Sequence, residues 1–242
     1  MKPCTDVHVH LLYGMDDGPK TLEEMRALME AEAENHVKCV VATPHVTPGV
    51  YPFDWTVYEQ RLNEAQEIGE QMTPPITVCG GAEILYSTQT CAMLRDGRVP
   101  AMAGTNIVLV EFSPAVPYRE LYRAAEEIAG TGFLPMLAHV ERYRCLVQWP
   151  FRAARMKRKM PVLYQVNAGT FLQRSGLRQR RFIRLLARKR LMDAVGTDAH
   201  NTDTRPVCIK DAYPAIRKLC GGRYAQVLTD GSILFGSGMW RD

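Results

Sequence analysis

Apolar runs alternate with amphipathic segments along the whole chain. Seven runs are almost continuously apolar, which is typical of strands buried on both faces of a parallel sheet. They span residues 6–10, 37–43, 76–80, 107–112, 134–138, 162–166 and 192–196. Segments with helical periodicity follow them, at residues 21–35, 55–71, 87–95, 118–131, 152–159, 174–190 and 203–219. Thr21, with Glu24 three residues later, resembles a capping box. The pattern predicts seven βα units and therefore an α/β fold with a parallel sheet.

Residues that bind metal ions in other proteins follow nearly every predicted strand. Five of the six histidines lie in short motifs beside or after an apolar run, and acidic residues end two further runs. The candidate ligands are His8, His10, His45, Glu83, Glu111, His139, Asp198 and His200. One site can gather them only if the strand ends form a ring, as at the C-terminal face of a TIM-like barrel. No linker rich in Gly, Pro or Ser interrupts the chain, so we expect a single domain over residues 1–242.

The spacing of these residues indicates more than one ion. His8 and His10 are two apart on one strand, so both side chains point the same way, and Asp6 on that face is expected to orient one of them. Asp198 and His200 repeat this spacing. Taken singly, each of the eight is better explained as a capping or core polar residue. Together, eight N and O ligands without a thiolate suit two or three ions of manganese, iron or zinc.

The charge balance points to phosphate ester hydrolysis. Three divalent ions bring six positive charges, whereas Glu83, Glu111 and Asp198 contribute only three negative charges. A hydroxide and a phosphoryl group would supply the remaining negative charge. Arg142 and Arg205 are candidates for stabilising the phosphoryl charge in catalysis, although either could be a surface arginine.

Two adjacent aspartates, Asp16 and Asp17, lie in the loop after the first strand. One of them is expected to act in catalysis as a general acid for the leaving group, and we assign this to Asp17. The alternative is a simple turn before the helix at Thr21.

Composition limits location and partners. The seven cysteines form no C-x-x-C pair, which indicates a reducing compartment, and the cytoplasm is the expected location. No apolar run is long enough to span a bilayer, and the N-terminus lacks a signal-peptide stretch. The net charge is +4, but residues 142–190 contain 15 Lys or Arg and no Asp or Glu. This stretch is either a solvated helical face or a surface that attracts an acidic partner.

The ordered motifs resemble those of the polymerase-and-histidinol-phosphatase (PHP) superfamily. Within it, the chain is most similar to the manganese-dependent bacterial protein-tyrosine phosphatases of capsule and exopolysaccharide operons. The resemblance runs from residue 6 to about residue 213. It rests on the sequences DVHVH, DDGPK, ATPH, GAEI, VEF, AHVERY, QVNAG and TDAHN. It weakens after Tyr213, where the family usually has an Asn-Pro pair near its C-terminal helix and this chain has LTDGS at residues 228–232.

This resemblance implies a distorted (β/α)7 barrel with three metal ions, manganese among them, held by the eight ligands above. It also implies that Arg142 and Arg205 contact the phosphate. The usual substrate of such enzymes is the phosphorylated tyrosine-rich tail of a membrane-associated bacterial tyrosine kinase that controls polysaccharide polymerisation. We therefore expect a phosphotyrosine-bearing partner protein, no nucleic acid, no membrane insertion and a possible homo-oligomer.

Three alternatives remain open from the sequence. A small-molecule phosphatase of the histidinol-phosphate type would use the same ligands. A PHP-type nuclease would use the basic stretch to hold a nucleic-acid backbone. A metal-stabilised regulatory scaffold would bind a partner without hydrolysis.

Overall fold

A computed structural model of the chain describes residues 2–49, 53–172 and 176–236. Strands and helices alternate through these residues. Their order is β1 Cys4–Val9, α1 Leu22–Glu34, β2 Val37–Ala42, β3 His45–Val46, α2 Trp55–Gln71, β4 Thr77–Gly80, β5 Glu83–Leu85, α3 Thr90–Arg95, β6 Ile107–Glu111, α4 Tyr118–Ala129, β7 Leu134–Leu137, α5 Arg144–Val147, α6 Phe151–Lys159, β8 Leu163–Asn167, α7 Leu177–Arg188, β9 Ala194–Gly196, α8 Ile209–Cys220, α9 Gly222–Thr229 and α10 Ser232–Phe235.

All strand pairs in the described residues are parallel, as the near-continuous apolar runs predicted. The seven predicted strands are present. Two short strands, β3 and β5, were not predicted, and they resume the directions of β2 and β4 after breaks of two residues. The strand order is β1-β2-β4 in one sheet and β3-β5-β6-β7-β8-β9 in the other. The strands β3 and β5 therefore follow β2 and β4 of the first sheet and belong to the second.

The sheet curls so that its first and last strands meet. Val9 and Ala199 form an isolated parallel bridge, and the Asp198 N–H donates to the His8 carbonyl at 2.7 Å. Gly196 allows this approach, because a Cβ at this position would lie 2.7 Å from the His8 Cβ. The predicted α/β fold with a curved parallel sheet is confirmed.

Both faces of the sheet are buried, and β6 shows how this places the site. Ile107 and Leu109 pack in one core cluster with residues of β1, β2, β7 and β9, whereas Val108 and Val110 pack in a second cluster with α4. Continuing the alternation, Glu111 lies on the face of Ile107 and Leu109 at the carboxyl end of the strand. A carboxylate is thus presented at the rim of an apolar interior.

Helix boundaries agree with the predicted segments to within three residues except after β9, and the helices α5, α9 and α10 were not predicted. The Thr21 hydroxyl caps α1 as expected, accepting from the Glu24 N–H, but Glu24 reaches back to the Lys20 N–H rather than to Thr21. The segment predicted at 174–190 is helical from Leu177 to Arg188, and its first two residues lie outside the described part. The last predicted helix, 203–219, instead begins at Ile209.

The loop before α8 has its own structure, which explains the late start of that helix. The Asn201 side-chain oxygen accepts from the N–H groups of Asp203, Thr204 and Arg205, a local arrangement that competes with helix formation. Helices α9 and α10 then follow α8 in the region where the family resemblance weakens. Among the described residues, no helix is both long and apolar enough to span a membrane.

Candidate metal centre

The strands deliver the eight candidate ligands to one end of the curled sheet. His8 and Glu111 lie in β1 and β6, His45 and Glu83 begin the short strands β3 and β5, and the other four follow the ends of β1, β7 and β9. His45 and Glu83 are register partners, as are Leu85 and Glu111. Because parallel strands end at the same edge, residues far apart in sequence come together there. The structure thus brings all eight to one site.

Four of these residues form what we call the central cluster: His8, His10, Glu83 and Asp198. All four are buried. The Nε2 atoms of His8 and His10 are 3.3 Å apart and lie 3.2 and 3.3 Å from the Glu83 Oε2. The Asp198 Oδ1 lies 3.5 Å from both nitrogens. Two nitrogens and two carboxylate oxygens therefore face a common point.

A second group, the outer cluster, consists of His10, Asp17, His45 and His200. The Asp17 Oδ1 lies 3.1 Å from the His200 Nε2 and 3.6 Å from the His45 Nε2. The Asp17 side chain is 61% exposed, so this cluster is open to solvent. The carboxylate that the sequence suggested as a general acid lies among imidazoles, where it could equally hold a cation.

Glu83 also belongs to a lateral cluster with His45 and Glu111. The His45 Nδ1 lies 3.3 Å from the Glu83 Oε2 and 4.0 Å from the Glu111 Oε2. His139 closes this side, with its Nε2 2.9 Å from the Glu83 Oε1 and 3.3 Å from the Glu111 Oε1. The Glu83 Oε2 thus faces the nitrogens of three histidines, whereas its Oε1 faces that of His139, so this carboxylate is shared between the central and lateral clusters.

The two buried carboxylates of the central cluster are held ionised. Burial alone would raise the pKa of Glu83, but the charge of His8 and hydrogen bonds with His10 and His139 bring it well below its ordinary value. The pKa of Asp198 is lowered in the same way, against burial, by His8, His10 and Arg142. The anionic form is the one that binds metal ions.

The pKa values of the imidazoles in this site shift in different directions. Burial disfavours the charged form of His10, yet hydrogen bonds to Asp16, Asp198 and Glu83 raise its pKa well above 6.5. Bonds to Glu111 and Glu83 likewise overcome burial and raise the pKa of His139 to about 9. Burial, followed by the charges of His10 and Arg205, lowers the pKa of His200 to about 4. The neighbouring carboxylates thus favour the protonated form of His10 and His139, whereas burial disfavours it at His200.

A layer of polar residues behind the ligands fixes their orientation, and one prediction about it was wrong. Asp6 contacts neither imidazole: its carboxylate accepts from the backbone N–H groups of His8 and Thr197 and from the Thr197 hydroxyl. Asp16 instead contacts the His10 ring, and the Asp16 Oδ2 lies 2.6 Å from the His10 Nδ1. Asp6 does not orient these rings because its carboxylate is engaged with the His8 backbone and with Thr197, directly after β9.

Two further residues of this layer come from β8. The Gln165 side-chain oxygen lies 3.3 Å from the His8 Nδ1 and accepts from the His139 N–H at 2.6 Å. Two residues along the strand, the Asn167 amide donates to the Asp198 Oδ2 at 2.8 Å. Reasoning from single residues missed both, although their i, i+2 spacing places them on one face of a strand.

The two candidate arginines meet at Asp198. The Arg142 Nη2 donates to its Oδ2 at 2.7 Å, and the Arg205 Nη2 donates to its Oδ1 at 2.7 Å. Arg205 also lies 3.4 Å from Asp17. Both arginines line a cavity of about 260 Å³ that opens beside Asp198. The cavity therefore presents two guanidinium groups next to the central cluster.

Two of the candidate ligands have left-handed backbone conformations. His139, two residues after the end of β7, has a φ of 32°, and Asp198, two residues after the end of β9, has a φ of 58°. Non-glycine residues rarely adopt such values, and those that do are frequent in functional sites. In both cases the turn directs the side chain back over the strand ends.

The donor set fits divalent metal ions. Nitrogen and carboxylate oxygen atoms without a thiolate suit manganese, iron or zinc. The Nε2 atoms of His8 and His10 face each other at 3.3 Å, an arrangement that a shared cation satisfies, since both bear a lone pair when neutral. The surrounding carboxylates are ionised and their orientations are fixed by the polar layer.

Comparison with known proteins identifies the family. A family model described as "Capsular polysaccharide synthesis, CpsB/CapC" matches residues 4–231. Tyrosine-protein phosphatase CpsB of Streptococcus pneumoniae is 26% identical over 92% of this chain and 93% of its own. Tyrosine-protein phosphatase YwqE of Bacillus subtilis is 25% identical over 95% and 90%.

A crystal structure from the pair YwqE of Bacillus subtilis and CpsB of Streptococcus pneumoniae, described as unique metal-dependent tyrosine phosphatases, has the same fold. The TM-score is 0.85 at 22% identity, over 98% of this chain and 97% of that chain. The family model covers nearly the whole chain, and the fold agrees over the same length. This chain belongs to the CpsB/CapC family of capsular polysaccharide synthesis proteins.

Proposed function

We propose that this chain is a metal-dependent protein-tyrosine phosphatase acting in capsule or exopolysaccharide synthesis. The observation that carries the proposal is the contact between the central cluster and a cavity lined by Arg142 and Arg205. A metal-binding group beside two guanidinium groups suits a phosphate monoester. Membership of the CpsB/CapC family and the names of its relatives support phosphotyrosine as the ester.

The eight ligands would hold two or three divalent ions, manganese before iron or zinc, in the central, outer and lateral clusters. When bound, such ions acidify water to give a nucleophile near neutral pH and neutralise phosphoryl charge. Glu83 is placed to serve two of the clusters. Asp16 and Gln165 fix the rings of His10 and His8 and so hold their Nε2 atoms toward the common point.

Arg142 and Arg205 would bind the phosphoryl oxygens. Each now donates to Asp198, and guanidinium groups have further N–H donors available in the same plane. As charge develops on the phosphoryl oxygens, these donors stabilise it without reorganisation of the protein. Asp17 would either protonate the tyrosyl oxygen as it leaves or contribute to the outer cluster, and its exposure allows contact with substrate.

The strand assignments support the count of seven βα units. If β3 is taken with β2 and β5 with β4, seven strand positions surround the site, each followed by at least one helix. We therefore propose a distorted (β/α)7 barrel, in one domain, with its metal centre at the C-terminal strand ends. The partner would be a phosphotyrosine-bearing protein such as the tail of a bacterial tyrosine kinase, and the setting the cytoplasm.

A panel of phosphoesters tests the proposal. Protein loaded with manganese is assayed on a phosphotyrosine peptide, p-nitrophenyl phosphate, histidinol phosphate and single-stranded DNA, and its metal content is measured. We expect the aryl phosphates to be hydrolysed best and His8→Ala to be inactive. His36→Asn is the matched control, because His36 is exposed, lies outside the site and has a positive φ that asparagine tolerates.

Each other outcome selects a different function. A strong preference for histidinol phosphate would indicate a small-molecule phosphatase, and cleavage of DNA with steep salt dependence a nuclease. If no phosphoester is hydrolysed and His8→Ala leaves partner binding intact, the chain is a scaffold.

A further inference from the structure

A second cavity opens directly beside the cavity lined by Arg142 and Arg205, which we call the phosphate cavity, and the proposed chemistry does not use it. Its volume is about 520 Å³, within the range of small-ligand sites, and its lining includes Arg144, Val147, Gln148, Leu177 and Arg178. It shares Arg142, Glu141 and Gln179 with the phosphate cavity. We call it the arginine groove. A phosphoryl group bound between Arg142 and Arg205 would therefore lie next to it.

The groove is positively charged: of its three arginines, Arg142 is paired with Asp198, and the other two have no acidic partner among the described residues. These two, Arg144 and Arg178, are exposed. Glu141 is the one acidic residue lining the groove. It is buried, its Oε1 accepts from the Asn167 N–H and the Thr170 hydroxyl, and burial raises its pKa. The field in the groove is therefore set by the guanidinium groups.

The groove also offers apolar surface and continues in one direction. Leu177, at the start of α7, is 74% exposed and lines the groove, so it adds apolar surface beside the guanidinium groups. A further cavity of about 530 Å³ shares Arg144 and Gln148 with the groove and adds Arg119 and Arg152. A line of arginines thus leads away from the phosphate cavity.

We propose that the arginine groove binds acidic residues that flank the phosphotyrosine on one side, with Arg144 and Arg178 as specificity-determining residues. The inference rests on the proposed function and deepens it by naming the sequence around the phosphate. Charge complementarity selects an acidic peptide segment as the occupant. Leu177 contacts the apolar part of the same segment. Since the groove lies to one side of the site, the preference is directional.

Three peptides of equal length test this. Each carries one phosphotyrosine, with acidic residues only before it, only after it, or on neither side. We expect wild type to favour one of the acidic peptides over the neutral one by about tenfold in kcat/KM, mainly through KM. Exposed ion pairs contribute up to about 1 kcal/mol, so Arg144→Ala and Arg178→Ala should each lose roughly three- to fivefold on that peptide alone.

Two controls separate docking from other effects. Turnover of p-nitrophenyl phosphate, which has no flanking residues, stays unchanged in both variants if they are folded. Arg188→Ala removes the same charge from the other end of α7, on the order of 15 Å away along the helix axis, and leaves the peptide preference intact. Anisotropy of a labelled, non-hydrolysable phosphotyrosine peptide gives binding independently of hydrolysis.

Three results would overturn the inference. Equal benefit from acidic residues on both sides, reduced equally by Arg188→Ala, would indicate long-range attraction. Unchanged preference in Arg144→Ala and Arg178→Ala would show that the groove is not used. Stronger competition by a DNA oligonucleotide than by the acidic peptide, lost in both variants, would make nucleic acid the occupant. If the peptide binds in an arginine-dependent way but no phosphoester is hydrolysed, the proposed function is rejected. The assignment of the groove as a binding site for acidic residues is then retained.

Discussion

Two groups of buried carboxylates in this protein have opposite protonation preferences. Glu83 and Asp198 in the central cluster have pKa values below the ordinary range, because imidazoles and Arg142 outweigh the effect of burial. Glu32, on α1 behind β1, is equally buried, and neither of its oxygens has a hydrogen-bond partner in the described structure. Burial and the neighbouring charge of Asp6 raise its pKa well above 4.5.

The difference shows what distinguishes a binding site from a buried polar residue. Removing a carboxylate from water disfavours its charged form unless cations or donors replace the water. Around Glu83 and Asp198 the fold supplies such groups and thereby keeps the anions ready for metal ions. Around Glu32 it supplies no cation, and the neighbouring ionisable group is another buried carboxyl, Asp6, so a proton is the simplest compensation. Burial is common to both sites, so the neighbouring groups decide whether the carboxyl group is charged.

The largest effect is expected from Asp198→Ala. This change removes a proposed ligand of the central cluster and the acceptor of Arg142, Arg205 and Asn167. Losing several kcal/mol of metal-dependent stabilisation corresponds to roughly a thousandfold or more in kcat on an aryl phosphate, with reduced metal content. Glu32→Gln is the control, since it alters a buried carboxyl outside the site. Similar losses in both variants would mean that the comparison between the two groups is false.

Arg142→Ala should have the next largest effect. Removing a preorganised donor to developing charge lowers kcat by about 10²–10³. Metal content should stay near that of wild type, because the carboxylate ligands remain and the arginine itself binds no cation. Elemental analysis beside the kinetics separates these properties. Loss of metal from Arg142→Ala would make the arginine a structural support of Asp198 and remove it from the chemistry.

Removing the metal ions should destabilise the protein moderately. Without cations, Glu83, Glu111 and Asp198 repel one another more strongly. Ions at a hundred times their Kd contribute about 2.7 kcal/mol, so a chelator should lower the Tm by about 5–10 °C in a chain of this size. Manganese should restore both Tm and activity. Scanning calorimetry with and without chelator measures this, and a Tm that does not respond to metal would contradict the ligand assignment.

Much of the fold and the membership of the site followed from local pattern. Continuous apolar runs predicted β1, β2, β4 and β6 to β9, because strands buried on both faces carry few polar residues. That same rule made His8, Glu111 and Asp198 conspicuous. The strands β3 and β5 were missed because two or three residues are too short to show any periodicity.

The relations among side chains could not be read from the sequence. Asp16 and Asp17 are adjacent and chemically identical, yet one contacts the His10 ring from behind and the other is exposed among the imidazoles of the outer cluster. Asp6 was assigned to a ring because it shares a face with His8, whereas the approach of β9 engages its carboxylate with Thr197. Such contacts depend on how the sheet curls, which has no local signal.

The smallest expected effect is the contribution of Glu32 to the pH dependence of the free energy of unfolding. It tests whether the pKa of this buried carboxyl is raised. Below pH 4.5, its ordinary value, the side chain is protonated in folded and unfolded chains alike. As the pH rises further, the unfolded chain releases this proton and the folded chain retains it. The free energy of unfolding then falls, by at most about 1.4 kcal/mol per pH unit, until the folded pKa is reached.

Glu32→Gln removes this contribution, so its stability relative to wild type should increase from pH 5 to pH 8, whatever the offset that a buried amide introduces. Urea unfolding across this range gives the difference at each pH, and Glu34→Gln, at an exposed position of the same helix, should show no such trend. A difference between Glu32→Gln and wild type that is constant with pH would mean that Glu32 finds compensation for its charge in the folded state. In that case neighbouring groups would outweigh burial at Glu32 as they do at Glu83 and Asp198, and the contrast between the two groups would have to rest on the metal ions alone.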